Sequence, residues 1–272
     1  MSLGVAFKGP EGVVLAADSR VTLNAQLSVP GMPTTLLPAT FDNATKLFRV
    51  SGQDYVGAVT YGLGAIGDRQ PRTAKSFVPE FEEELVAANT GRLGVEAFAA
   101  ELSGFFMRQW AANMPATYAG PPMIFLIGGF DVTDPYGRVF QFAIPTNPTP
   151  VEVSPGEFGA TWGGQREYAD RIMQGFDDAL LPTTQAFLGL SDQQRDALRQ
   201  HLRNTHAIKI PYQFLSLQDC VDLAIFLIRT TITAQQWVVD VRGVGGAIDV
   251  ALITRTRGFQ FVQQKETTGE RP

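Results

Sequence analysis

Ser2 stands sixteen residues ahead of Asp18, and Asp18 opens an Asp-Ser-Arg trio that closes GVAFKGPEGVVLAADSR. If Met1 is removed, Ser2 carries both a hydroxyl and a free α-amine. A nucleophile and its own base then share one residue. An α-amine titrates at about 7.7–8.0, close to the working pH of a general base. Other residues offer less chemistry. Cys220 lies on an apolar helical run and reads as core, while His201 and His206 sit in a charged helix and read as solvated. No Gly-x-Ser-x-Gly elbow is present. Two His, one Cys and no tight carboxylate cluster give no metal-ligand set, and no cofactor is expected. Gly62-Leu63-Gly64-Ala65-Ile66-Gly67 fits G-x-G-x-x-G after a strand. Asp68-Arg69-Gln70-Pro71 follows instead of a helix, which argues against a dinucleotide site.

The elements that must position these residues come in blocks. Val5–Phe7 and Val13–Ala17 read as short strands around the turn Lys8–Gly12. Val21–Thr45, rich in Pro, Thr, Asn and Gly, reads as a long loop that is mobile or touches a partner. Lys46–Val50 and Tyr55–Tyr61 form a second strand pair. Ser76–Ala88 and Val95–Asn113 read as helices, with Pro79 tolerated in the first turn. Strands are predicted at Met123–Asp131, Arg138–Ile144, Pro150–Val153 and Phe158–Trp162, with a hairpin turn at Asp134–Gly137. Arg166–Leu181, Asp192–His206 and Leu217–Gln235 read as helices, the last two with Ser191 and Ser216 as N-caps. Ala247–Thr254 and Phe259–Gln263 close the fold, and KETTGERP reads as a frayed polar tail.

Strands, helices, strands, helices, strands is not the alternation of a doubly wound fold. It predicts an α+β domain in which antiparallel sheets pack face to face with helices outside. No repeat or linker divides residues 1–272, so one domain is expected. The formal net charge of −5 offers no basic surface for nucleic acid, and no apolar run reaches the length of a membrane span. The single cysteine permits no intrachain disulfide, and the N-terminus lacks a signal-peptide pattern, so a cytoplasmic location is expected.

Ser2–Arg20, Lys46-Leu47-Phe48-Arg49-Val50 and Val59-Thr60-Tyr61-Gly62 together resemble the start of a proteasome-type β-subunit, within the N-terminal nucleophile (Ntn) hydrolases. LSLQDCVDLAIFLIRTTI and GGAIDVALITRTRGFQFV are similar to the family's late helix and last two strands. The resemblance implies a four-layer αββα sandwich with a loop excursion at 21–45 and a helical insertion at about 166–206. It implies a serine-type peptidase in which Ser2 Oγ attacks a peptide carbonyl. Lys46 would lower the pKa of the hydroxyl and amine, and Asp18 would hold Lys46 charged and oriented. The Gly62 N–H would meet the oxyanion, and Thr60, with Tyr61, would mark the substrate pocket. Taken singly, Asp18 reads as a turn or salt-bridge residue and Lys46 as a solvated one.

The implied partners are peptide or unfolded protein substrates, further copies of the chain in a ring or spiral, and an ATP-dependent unfoldase. Three departures stand out. Ser2 replaces the family's threonine. A supporting serine should fall near Thr161–Gln165, where Thr161 is the only hydroxyl. A supporting aspartate should fall just before Leu215, yet THAIKIPYQF holds no acid and Asp170 lies within a helix. A catalytically silent structural subunit is therefore the alternative reading, with a small-molecule amidase ranked below it.

Overall fold

Leu3–Lys8 (β1) and Val13–Asp18 (β2) are buried at every position, which suits strands covered on both faces. The computed structural model that shows this describes residues 2–27, 35–68, 70–239 and 241–269. β1 and β2 lie inside a five-stranded antiparallel sheet. Its order is β10 (Gly159–Gly164), β1, β2, β11 (Ile248–Thr254), β12 (Gly258–Gln263). A second five-stranded antiparallel sheet runs β5 (Leu47–Phe48), β6 (Val56–Gly62), β7 (Met123–Gly129), β8 (Arg138–Ile144), β9 (Asn147–Glu152).

The sheets meet through Ala6, Leu15 and Ala17 on one side and Val59, Tyr61 and Leu126 on the other. Helices α1 (Val78–Ala87) and α2 (Val95–Asn113) cover the outer face of the second sheet. Their contact is dominated by phenylalanines whose ring centroids lie 4.6–6.5 Å apart, including the directly opposed pair Phe125 and Phe142. Each buried ring contributes roughly 1.5–3 kcal/mol from area alone. Helices α3 (Glu167–Met173) and α6 (Leu217–Gln235) cover the first sheet, where Leu3, Val5 and Phe7 meet Ala224, Leu227 and Ile228. The layers therefore run helix, sheet, sheet, helix, an α+β sandwich as expected.

Alternation along β1 fixes what Ser2 faces. Leu3, Val5 and Phe7 point at the helices, so Gly4, Ala6 and, in the same phase, Ser2 point at the second sheet. The Gln165 N–H donates to Ser2 O at 2.8 Å, which carries the β1–β10 pairing one rung past Leu3–Gly164.

Several predicted elements change. Val21–Thr45 is not all loop: Val21–Leu27 (β3) and Thr35–Phe41 (β4) pair as a two-stranded ribbon, and residues 28–34 lie outside the described residues. Pro38 suits a ribbon whose strands, among the described residues, each pair along one edge. The helix expected over Arg166–Leu181 stops at Met173 (α3), with Gly175 at φ +80° beyond it, and a separate helix, α4 (Leu180–Leu188), lies mostly past the expected end. α5 (Asp192–His206) and α6 begin at full capping boxes on Ser191 and Ser216. Lys46–Val50 shrinks to two strand residues. Lys8 is the buried last residue of β1 and not part of a turn. The tail is anchored at Lys265, as described below, while its last three residues lie outside the described set.

Candidate active site

Asp18 is the node of the site. It ends β2 with its side chain fully buried, and both carboxylate oxygens are engaged. Oδ1 accepts the Leu3 N–H at 3.0 Å and the Lys46 ammonium at 2.7 Å. Oδ2 accepts the N–H groups of Arg20 and Gly245, each at 3.0 Å. A carboxylate with three backbone donors and an ammonium satisfies its lone pairs despite burial. The bond to Leu3 N ties Asp18 directly to the residue after Ser2.

Lys46 is also buried, and its Nζ donates to Asp18 Oδ1 and to the Arg20 carbonyl. Burial lowers its pKa, while Asp18 raises it by charge and hydrogen bond and Lys265 lowers it further. An ammonium has three donors, so one remains after Asp18 and Arg20. Lys46 shares a small cleft with Ser2, Val21, Thr60, Tyr61 and Thr73. The remainder of the Asp-Ser-Arg trio braces this corner. The Arg20 guanidinium clasps Asp42 with bonds of 2.5 and 2.8 Å, and Ser19 N–H donates to Gly245 O.

Gly62 ends β6 at φ +84°, where an added Cβ would stand 2.4 Å from Pro122 O. Only glycine fits that approach. The next N–H, of Leu63, bonds Pro122 O across to β7. By alternation the Gly62 N–H points the other way, the side on which the Thr60 N–H meets Lys46 O. That is the edge along which the cleft opens. Thr60 lines the cleft, so Ser2, Lys46 and Thr60 come together there, with Asp18 behind Lys46. Gly62 itself sits between two lining residues, Tyr61 and Leu63.

The positions where a supporting hydroxyl and acid are expected do not serve Ser2. Thr161 pairs with Ala6, two same-face rungs beyond Ser2. Asp170 is buried, but its carboxylate is taken by Trp162 Nε1 at 2.7 Å and by Arg166 Nε at 2.8 and 2.9 Å. The chain end of β10 is held by amides instead. Gln235 Nε2 donates to Gln165 Oε1 at 2.9 Å, and Gln235 Oε1 accepts the Val244 N–H at 3.1 Å.

A second buried carboxylate lies nearby. Asp249 on β11 pairs with Ala17 and is 2 % exposed. The Lys265 N–H donates to its Oδ1 at 2.9 Å and the Lys265 ammonium bonds its Oδ2. Nothing in the sequence marked this pair, because an acid in a strand and a lysine in a polar tail each look like surface. Cys220 is buried with its thiol pushed up to about 11, as a core cysteine. Among the described residues no group of three or more His, Cys, Asp or Glu side chains is assembled for a metal. Among them, too, no helix is long and apolar enough to cross a membrane. The stretch Gly62–Gly67 runs from the end of β6 into a loop with an Ile66–Arg72 bridge, and no helix starts on its glycines.

A scan against protein-family models finds no match, and no curated protein matches the chain. Among solved structures the chain is similar to the Anbu Gly-1 mutant from Hyphomicrobium sp. strain MC1. That alignment has a TM-score of 0.57 at 16 % identity, covering 97 % of this chain and 86 % of that one. The likeness is one of fold, and it extends over both sheets and their flanking helices.

Proposed function

We propose that this chain is a proteasome-like N-terminal nucleophile hydrolase whose residues 1–272 form one domain, and that it cleaves peptide bonds with Ser2 after loss of Met1. Met1 itself lies outside the described residues. One observation carries the reading. A buried lysine, Lys46, is held by a buried aspartate that also grips the backbone next to Ser2, and Lys46 and Ser2 share one cleft. Burying such an ion pair for stability alone gains little, since desolvation offsets most of the attraction.

In this mechanism Ser2 Oγ bonds to the peptide carbonyl carbon as its proton passes to the Ser2 α-amine. The carbonyl π electrons move onto oxygen, where the Gly62 N–H stabilises the charge. Losing one such donor costs about 10²–10³ in rate. Collapse of the intermediate breaks the C–N bond, and the Ser2 ammonium returns the proton to the leaving nitrogen. Water then attacks the acyl-Ser2 ester, again giving its proton to the amine, and Ser2 is restored. The Lys46 ammonium lowers the pKa of the Ser2 hydroxyl without leaving its place, because Asp18 and Arg20 O hold it.

The silent structural subunit is favoured by one observation, that Thr161 and Asp170 are both unavailable to Ser2. Large exposed side chains such as Phe187, Phe214 and Trp237 support self-assembly under either reading. The resemblance extends that assembly to a ring or spiral served by an ATP-dependent unfoldase. Peptide and small-amide turnover by wild type and Ser2→Ala separates the readings. Peptide turnover lost in Ser2→Ala supports the peptidase, and turnover of small amides alone supports an amidase. Turnover unchanged in Ser2→Ala contradicts both.

A further inference from the structure

Two glycines facing each other make room for an aromatic ring beside Ser2. Gly4 on β1 and Gly163 on β10 are directly paired, and both face the second sheet. A Cβ on Gly4 would lie 2.8 Å from Tyr61 Cδ1, and one on Gly163 would lie 2.3 Å from both Tyr61 Cζ and its hydroxyl oxygen. The Tyr61 ring therefore lies across the glycine pair, with its hydroxyl over Gly163. The next rung on that same face is Ser2 with Gln165. Tyr61 also lines the cleft that holds Ser2 and Lys46.

The phenol is otherwise idle. Its hydroxyl makes no hydrogen bond to any described residue, and it is not among the wholly enclosed polar atoms that lack a partner, which leaves it open to the cleft. The other groups that might serve the Ser2 amine are committed or distant. Thr161 is opposite Ala6, Asp170 belongs to Arg166 and Trp162, and Gln165 turns its side-chain Oε1 to Gln235.

We propose that Tyr61 is the positioning residue for the Ser2 α-amine, its hydroxyl oxygen accepting one amine N–H so that the lone pair is aimed at Ser2 Oγ. The inference rests on the nucleophile role proposed above for Ser2. Burial pushes the phenol up to about 12, against the opposing charge of Arg166, so it stays neutral wherever an α-amine titrates. A neutral oxygen accepts the N–H without bringing negative charge toward the nucleophile. As Oγ attacks, the amine gains the Oγ proton and the same hydrogen bond becomes charge-assisted and stronger. Tyr61 keeps its own proton throughout. The charged groups around this corner are Asp18, Arg20, Asp42 and Lys46 beside β2, Arg166 with Asp170 and Asp178 at α3, and Asp249 with Lys265 from the tail. Tyr61→Phe leaves all of them in place.

The test is Tyr61→Phe in the chain from which Met1 has been lost, compared with wild type and Ser2→Ala on one peptide substrate. The expected result is a kcat about tenfold lower with KM nearly unchanged. The acid limb of kcat/KM moves to lower pH, because losing an acceptor disfavours the ammonium and lowers the amine pKa. A structural role alone does not move that limb. Fluorotyrosine at position 61, which keeps the ring and weakens the oxygen as an acceptor, should give a kcat between those of wild type and Tyr61→Phe. Wild-type kcat and an unmoved acid limb in a folded Tyr61→Phe overturn the proposal, as does wild-type behaviour of the fluorotyrosine chain. Turnover that survives Ser2→Ala overturns the underlying nucleophile reading instead, so the two failures are told apart.

Discussion

Two buried lysines sit at opposite ends of β1, and they are held in different ways. Lys46, beside the Ser2 end, meets a fully buried carboxylate that is itself fixed by three backbone N–H groups. Lys8, the last residue of the strand, donates to the Ser154 carbonyl at 2.6 Å and has only longer-range attraction from Glu152 and Glu157. Burial lowers the pKa of both. Lys8 also lines a cleft, of about 200 Å³ with Tyr136 and Phe158 in its wall, yet no serine, threonine or cysteine lines that cleft. A buried lysine in a cleft is thus not a catalytic signature by itself. The signature is a lysine whose counter-ion also grips the strand that begins at the nucleophile.

The largest effect that would break this contrast is in Lys46→Ala. Acylation of Ser2 should fall by about 10²-fold or more, the scale of losing a placed acid–base or electrostatic group, while the fold is kept. Peptide turnover and intact-mass detection of the acyl-enzyme measure it, and unchanged turnover would refute the role given to Lys46. Asp18→Ala comes next, on stability. It strands the Lys46 ammonium and three backbone N–H groups, a loss on the order of 3–5 kcal/mol read from the urea midpoint. A smaller loss than that of Lys8→Met would reverse the comparison.

Lys265→Ala should cost less, about 1–3 kcal/mol, because the Lys265 backbone N–H still serves Asp249. Its distinctive sign is in the pH profile. The Lys265 charge lowers the Lys46 pKa, so its removal should move the basic limb of kcat/KM to higher pH. Lys8→Met should change least, with wild-type turnover. Folded Lys8 titrates below 10.5, so the unfolded chain holds more protons between that lowered value and 10.5. Wild-type stability therefore rises with pH through that window, and urea midpoints of Lys8→Met should lose that rise.

Regular elements with strong periodicity were legible. α2, α5 and α6 follow the predicted bounds because apolar spacing and the Ser191 and Ser216 caps mark them locally. The ribbon of β3 and β4 was missed because Pro and Thr resemble loop composition, and only long-range pairing makes them strands. The same division runs through the site. Ser2, Asp18 and Lys46 were marked by type and order. Their convergence with Thr60 depends on two sheets meeting face to face. Tyr61 could be read only as a pocket residue, since the space for its ring comes from Gly4 and Gly163, one of them on a strand about a hundred residues away. The Asp249–Lys265 pair carried no local signal at all.

The central claim is that Ser2 becomes the N-terminal residue and takes an acyl group on its hydroxyl. Intact mass of the purified chain, before and after incubation with an activated peptide ester, tests it most directly. The account predicts a mass short by one methionine, then a single added acyl group on the wild-type chain and none on Ser2→Ala. Met1 retained on every chain would contradict it.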